Sequence, residues 1–388
     1  MTPLRPLLVI GTRPEAIKMA PVVQACRARG PEIEPLVCFT GQHDEMLRQV
    51  TDYFEIQPDF DLKLMASGQT LSQLTAKCLL ALEEVIAAAR PSCVVAQGDT
   101  TSVLAASLAA FYHHLPFVHV EAGLRTGNLA APWPEEFNRR VASVTAALHC
   151  APTARAADAL RREGVPPHRI RITGNTVIDA LLTTVRRERG RHEHWQGRHA
   201  WLNGQDLVLI TAHRRENHGS GLESIFTALA ALARRFTHTA FVFPVHLNPQ
   251  VQAAARRLLT GIDNFRLIAP VPYPEFVWLM DRAKLIVTDS GGIQEEAPSL
   301  RRPVIALRET TERSEAVEIG AVELVGSETG RVEEAVSRLL TDPAAYAARQ
   351  TDRSPFGDGH AAERIVEWML ESHASKFIDP QAESSSIL

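Results

Sequence analysis

The sequence has no pair of cysteines at CxxC spacing: its five, at positions 26, 38, 78, 93 and 150, are odd in number and scattered. That argues against a disulfide framework or a cysteine zinc site and points to a reducing, cytoplasmic setting. It has no long hydrophobic run. The N-terminal MTPLRPLLVIGTRPEAIK is apolar for only a few residues, too few for a signal peptide or a membrane span. It has no basic stripe either. Lys and Arg total 41 against 45 Asp and Glu, a net charge of -4 with the basic residues dispersed, which leaves no electrostatic case for nucleic acid. The first strand-like run is followed by one glycine, in GTRPEAIK, rather than by GxGxxG, so a dinucleotide turn and a redox cofactor are not supported. Internal repeats and low-complexity tracts are absent.

What is present is an alternation. Short apolar runs, LLVI (7–10), PLVCF (35–39), CVVA (93–96), FVHV (117–120), LVLI (207–210), AFVFP (240–244), LIVT (285–288) and PVIAL (303–307), are separated by longer helical stretches. This is the pattern of parallel sheets with helices on both faces. It pauses at RRERGRHEHWQGRHAWLNGQ, which is polar and has no clean apolar stripe. The fold class expected is α/β, two doubly wound (Rossmann-like) domains facing across a cleft. The boundaries expected are 1–175, a linker at 176–205, a second domain at 206–360, and a C-terminal helix with a loose tail at 361–388.

Ligands of open parallel sheets sit beyond the carboxyl ends of the strands. There the sequence places Arg13 and Lys18, which suit a phosphate at a helix N-terminus. Asp99 follows in QGDTTS, where Asp and Thr also suit helix capping. Glu121 stands directly after an apolar strand and beside Gly123, which would let backbone and ligand approach closely. In PWPEEFNRR, Glu135 and Glu136 open a helix, four residues ahead of Arg139 and Arg140 respectively. Asp99, Glu121 and Glu135 reach one rim, where mutual repulsion would raise a pKa and let one site hold both acid and base. In the second half, His213 in TAHRREN fits a proton donor or phosphate ligand. The stretch VTDSGGIQEEAPSL aims the free amides of Ser290, Gly291 and Gly292 outward as an anion cradle. Glu296 then suits ribose hydroxyls, and Arg313 a counter-charge.

Taken in order, GTRPEAIKMAPVV, TGQHDEML, QGDTTSVLAASLAAFY, HVEAGLRTGN, PWPEEFNRR, TAHRREN, PVHLNP, TDSGGIQEEAPSL and RETTERSEAVEIG resemble the successive motifs of the non-hydrolysing UDP-N-acetylglucosamine 2-epimerases. The resemblance implies a glycosyltransferase-B-type architecture, usually homodimeric. It implies reversible interconversion of UDP-GlcNAc and UDP-ManNAc through a 2-acetamidoglucal, without metal or redox cofactor, supplying sugars for cell-surface polysaccharide. Asp99, Glu121 and Glu135 match the family's acid/base carboxylates and His213 its leaving-group histidine. Arg13, Arg139, Ser290, Gly291, Gly292, Glu296 and Arg313 match positions assigned to UDP, and Phe276 would pack on uracil. Many bacterial members are activated by UDP-GlcNAc at a second site, which Gln42, His43, Glu136, Arg214 and His246 resemble. Glu136 is expected nearer the helix surface than Glu135. A hydrolysing epimerase, an epimerase for UDP-2,3-diacetamido-glucuronic acid and a glycosyltransferase are the alternative readings of the same scaffold.

Overall fold

The computed structural model describes residues 2–41, 45–66, 68–202, 204–375 and 377, so Gln42 and His43 lie outside the described residues. The chain forms two α/β units, one of them Met1–Ala180 joined by the segment from Phe356 onward, the other Leu181–Pro355. The first contains β1 (Pro6–Ile10), α1 (Arg13–Ala28), β2 (Leu36–Phe39), α2 (Glu45–Tyr53), β3 (Phe60–Asp61), α3 (Leu71–Ala89), β4 (Cys93–Gln97) and α4 (Thr101–Tyr112). It continues through β5 (Phe117–Val120), α5 (Glu135–Thr145), β6 (Ala146–Ala151), α6 (Ala154–Arg162) and β7 (Ile170–Ile172). Its parallel strands run in the order β3-β2-β1-β4-β5-β6-β7. Strands β1 and β4 are buried along their whole length, as expected of a sheet covered by helices on both faces. Val9, Val94 and Phe117 pack against Leu82, Val85 and Val103 of α3 and α4 in one core.

Residues 176–205, expected as a linker, are largely helical: α7 (Thr176–Arg189) and α8 (His192–Arg198) fill the stretch. The physical reason is an apolar row that the arginines obscure, since Val177, Ile178, Leu181 and Val185 recur at helical spacing and are all buried. Trp195 is buried too, its indole N–H donating to Glu188 at 2.7 Å.

The second unit follows with β8 (Asp206–Thr211), α9 (Ser220–Arg235), β9 (Thr239–Pro244), α10 (Pro249–Leu259), β10 (Phe265–Ile268), α11 (Tyr273–Arg282), β11 (Leu285–Thr288) and α12 (Gly291–Ser299). It ends with β12 (Val304–Ala306), α13 (Ser314–Glu318), β13 (Val322–Leu324), α14 (Thr329–Thr341) and α15 (Pro343–Arg349). The strands are again parallel, in the order β10-β9-β8-β11-β12-β13. Phe226, Phe241 and Phe243 anchor its core beside Leu229 and Leu232 of α9; truncating such a phenylalanine typically costs about 3–5 kcal/mol. The last helix, α16 (Ala361–Ala374), returns to the first unit. Its Ala362 amide donates to Asp179 at 2.8 Å, and Glu367 and Glu371 accept from Arg29 and Arg171.

Each sheet reverses its strand order once, between β1 and β4 and between β8 and β11. In each such sheet the switch point, at the strands' carboxyl ends, is where ligands bind. Asp99 follows β4, and Glu121 follows β5 beside it. His213 follows β8 and Ser290 follows β11.

Candidate active site

In the first unit two of the three candidate carboxylates, Glu121 and Asp99, are held by cations. Lys18 Nζ lies 2.5 Å from Glu121 Oε2, with both side chains largely buried, and Arg139 donates to Asp99 Oδ2. Lys18, expected near a phosphate, and Arg139, matched to a UDP position, are thus engaged with the acid/base candidates. Glu121 has a φ of 64°, in the left-handed region that non-glycine residues rarely occupy and that tends to mark functional sites. Gln97 fixes it further, its Nε2 donating to Oε2 at 2.7 Å. Gly123 serves packing rather than ligand approach: a Cβ there would lie 2.3 Å from the Ala156 carbonyl of α6, at a φ of +91°.

The turn carrying Asp99 is pinned from three sides. Asn138 Nδ2 donates to the Asp99 carbonyl at 2.9 Å. His119 Nε2 donates to the Gly98 carbonyl at 2.7 Å, and burial pushes this imidazole's pKa down to about 4. Thr100 caps α4 and its hydroxyl donates to Glu15 Oε1 at 2.5 Å. Glu15 also closes the capping box at the start of α1, accepting from the Gly11 and Thr12 amides at 2.5 and 2.9 Å. Burial raises its pKa to about 7 against the opposing pull of those donors.

Glu135 and Glu136 separate, although not as expected. α5 starts at Glu135, behind an exposed Trp133 flanked by two prolines that both follow cis peptide bonds. Glu135 is half-buried, and among the described residues no hydrogen bond or ion pair engages its carboxylate. Glu136, expected near the helix surface, is fully buried. Its oxygens accept from the Thr126 and Gly127 amides at 3.1 and 3.2 Å and pair with Arg139 and Arg140 at 3.4 and 3.3 Å. A carboxylate so enclosed is a structural anchor for the 124–128 loop, with no oxygen left for an activating ligand.

In the second unit, His213 Nδ1 lies 3.3 Å from Asp289 Oδ1 and the ring stacks on His246, with centroids 5.2 Å apart. Burial lowers the His213 pKa, Asp289 opposes that shift, and His246 and Arg214 reinforce it. Ser290 is the N-cap of α12 without a side-chain hydrogen bond, so the first-turn amides have no cap from it. Arg313 stands over them: a Cβ at Gly291 would lie 2.9 Å from its guanidinium, which pairs with Glu295 at 2.8 Å and with Glu312. Glu296 accepts from the Tyr273 hydroxyl at 3.2 Å, and Phe276 is half-buried on α11. Arg214 pairs loosely with Glu216, 3.4 Å away, and His246 is exposed. Arg13 is half-buried as the first residue of α1. Among the described residues, no group of three His, Cys, Asp or Glu is arranged to hold a metal ion.

The family model for UDP-N-acetylglucosamine 2-epimerase matches residues 24–370. The chain belongs to the UDP-N-acetylglucosamine 2-epimerase family. It is 50% identical over 374 residues to the UDP-N-acetylglucosamine 2-epimerase of Yersinia pestis, covering 95% of this chain and 99% of the relative. To that of Escherichia coli K12 it is 48% identical over 377 residues, 96% of this chain and 100% of the relative. Among solved structures it resembles the Neisseria meningitidis UDP-GlcNAc 2-epimerase bound to UDP-GlcNAc, with a TM-score of 0.89, 45% identity, and coverage of 95% of this chain and 100% of that one. The Methanocaldococcus jannaschii UDP-GlcNAc 2-epimerase in complex with UDP-GlcNAc and UDP gives a TM-score of 0.78 at 32% identity, with the same coverage. The two doubly wound units expected from the strand pattern, and the glycosyltransferase-B type that the resemblance implied, are the fold found.

For an epimerase of this family, sequence reasoning overlooked two buried carboxylates. Glu15 was legible, because Thr12-x-x-Glu15 is a capping box. Asp289 carries no separate signal, standing between the strand residue Thr288 and the Ser290 turn.

Proposed function

We propose that the protein interconverts UDP-GlcNAc and UDP-ManNAc without net hydrolysis. A base removes the proton at sugar C2 while the C1–O bond to UDP breaks, giving a 2-acetamidoglucal and UDP. The proton then returns to the opposite face of C2 as UDP re-adds at C1. Asp99, Glu121 and Glu135 carry the proton transfers as a group. The C2 hydrogen is barely acidic, so base and leaving-group stabilisation act together. His213, Arg313 and the first-turn amides of α12 hold the departing diphosphate, and Glu296 and Phe276 the nucleoside. Arg13 adds a cation at the start of α1.

The observation that carries this reading is the strained, buried Glu121, held between Lys18 and Gln97 beside the pinned Asp99 turn, in a chain about half identical to named epimerases. A proton NMR time course with UDP-GlcNAc in deuterated water tests it. The expected product is UDP-ManNAc labelled at C2. Free ManNAc as the main product would mean a hydrolysing enzyme, and turnover without label would overturn the elimination.

We further propose that the enzyme is a cytoplasmic homodimer that feeds cell-surface polysaccharide synthesis. Its five cysteines are free and buried, and no helix among the described residues is long and apolar enough to cross a membrane. Exposed apolar side chains on the adjacent α3, α4 and α5 support self-association there. Arg214 and His246 stay with the reading of a second, activating nucleotide-sugar site.

A further inference from the structure

Asp289 is completely buried at the end of β11. Its Oδ2 accepts three N–H groups, the His213 and Arg214 amides at 2.8 Å each and Asn217 Nδ2 at 3.2 Å. Its Oδ1 has no hydrogen bond of its own, although it is buried, and the group facing it is His213 Nδ1 at 3.3 Å. An acceptor left bare in the interior is costly, so the ring nitrogen opposite it is best occupied by a proton. That fixes the tautomer: Nδ1 carries the hydrogen toward the carboxylate, and Nε2 is turned away from it.

We propose that Asp289 is a positioning residue for the leaving-group step, holding His213 in the Nδ1–H form so that Nε2 meets the diphosphate. It rests on the reading that His213 faces the departing UDP. When the imidazole gains a proton, the new Nε2–H donates to an anionic oxygen while the buried carboxylate balances the ring's charge. His246, stacked on the ring with an interplanar angle of 17°, and Arg214 both disfavour that cation. Asp289 is the group that favours it.

Asp289→Asn tests this with little ambiguity. Three donors pin the Oδ2 position, so the asparagine oxygen must take that place and its NH2 must face His213 Nδ1. The ring is then forced into the Nε2–H tautomer, and its protonated form is lost from the working pH range. Nitrogen-15 NMR of the histidine-labelled full chain, without substrate, reads this directly. The wild type is expected to show His213 as Nδ1–H, and the variant as Nε2–H with a lower titration midpoint. Turnover is expected to fall about 10²- to 10⁴-fold, the range seen when an imidazole loses its orienting carboxylate, with KM little changed. In a His213→Asn background, Asp289→Asn should cost almost nothing more. Wild-type His213 found as Nε2–H would overturn the proposal even if the variant fails to fold; so would an equal loss in both backgrounds. If the wild type shows the expected tautomer but no exchange at C2, the functional reading has failed and the positioning has not.

Discussion

Lys18 and Glu121 form an ion pair at 2.5 Å that joins α1 to the residue following β5, and Glu121 holds it in a left-handed backbone conformation. Removing the cation with Lys18→Met leaves a buried carboxylate uncompensated, which costs about 3–5 kcal/mol when such a pair is broken from one side. The displaced carboxylate should also lower turnover about 10²-fold, the scale of an ångström's misplacement. Turnover as fast as that of the wild type would show that Lys18 does not act on Glu121.

The adjacent glutamates of α5 predict opposite phenotypes. Glu136→Gln removes one charge from a carboxylate that serves two amides and two arginines in full burial, and should destabilise the protein by about 3 kcal/mol. Glu135→Gln changes a half-buried side chain with no partner among the described residues. It should leave stability within about 0.5 kcal/mol while lowering turnover at least about 10²-fold. Urea denaturation and steady-state rates on both variants check this. An equal loss of stability in the two would refute the division.

These two sites mark how far the sequence was legible. The strands rich in Val, Ile and Leu, such as FVHV and LIVT, are found at the positions read from the apolar runs. β6 has no β-branched residue in AALHCA and follows α5 without an intervening turn, so no apolar run marks it, and β3, β7 and β13 are edge strands of two or three residues. Which residues stand at strand ends followed from alternation alone. What holds them did not, because the spacing of Glu136 and Arg140 is the same for a solvated pair and a buried one. The difference comes from the Thr126 and Gly127 amides, on a loop that folds back onto α5. Asp289 was hidden for the same reason, since its partners His213, Arg214 and Asn217 come from some seventy residues upstream.

Stability should fall on mild acidification, through buried histidines. His149 is 1% exposed, and burial, reinforced by His119 and nearby arginines, depresses its pKa from 6.5 to about 3. Below pH 6.5 the unfolded imidazole takes up a proton that the folded one refuses until about pH 3, so acidification over that window favours unfolding. At pH 5 this amounts to about 2 kcal/mol for the one group. Glu15, raised from 4.5 to about 7, acts in the other sense: the folded state keeps a proton there that the unfolded state releases, so its contribution is lost as pH rises. The comparison that isolates the histidine is His149→Gln against wild type. Its stability difference between pH 7 and pH 5 should be about 2 kcal/mol smaller; an unchanged difference would mean that His149 is protonated in the fold.

The outer face of α3, α4 and α5 gives the last prediction. α4 packs between the other two helices, and Leu80, Phe111, Tyr112 and Val144 stand exposed on the three, Val144 at 86% and Leu80 at 64%. Phe137 and Val144 are seven apart, two helical turns, and both are exposed on α5. Singly exposed apolar residues are ordinary, whereas several on neighbouring helices mark a surface that is covered by something. If a second copy covers it, Val144→Asp places a charge inside an apolar interface at a cost of about 3 kcal/mol, roughly a hundredfold in the dissociation constant. The isolated fold should hardly notice, because the side chain touches little else, and the thermal midpoint of the monomer should stay put. Sedimentation velocity across a concentration series is the measurement: the wild type should run as a dimer and the variant should shift toward monomer. A wild type that stays monomeric at every concentration, or a variant that dimerises as tightly, would assign this face to another partner.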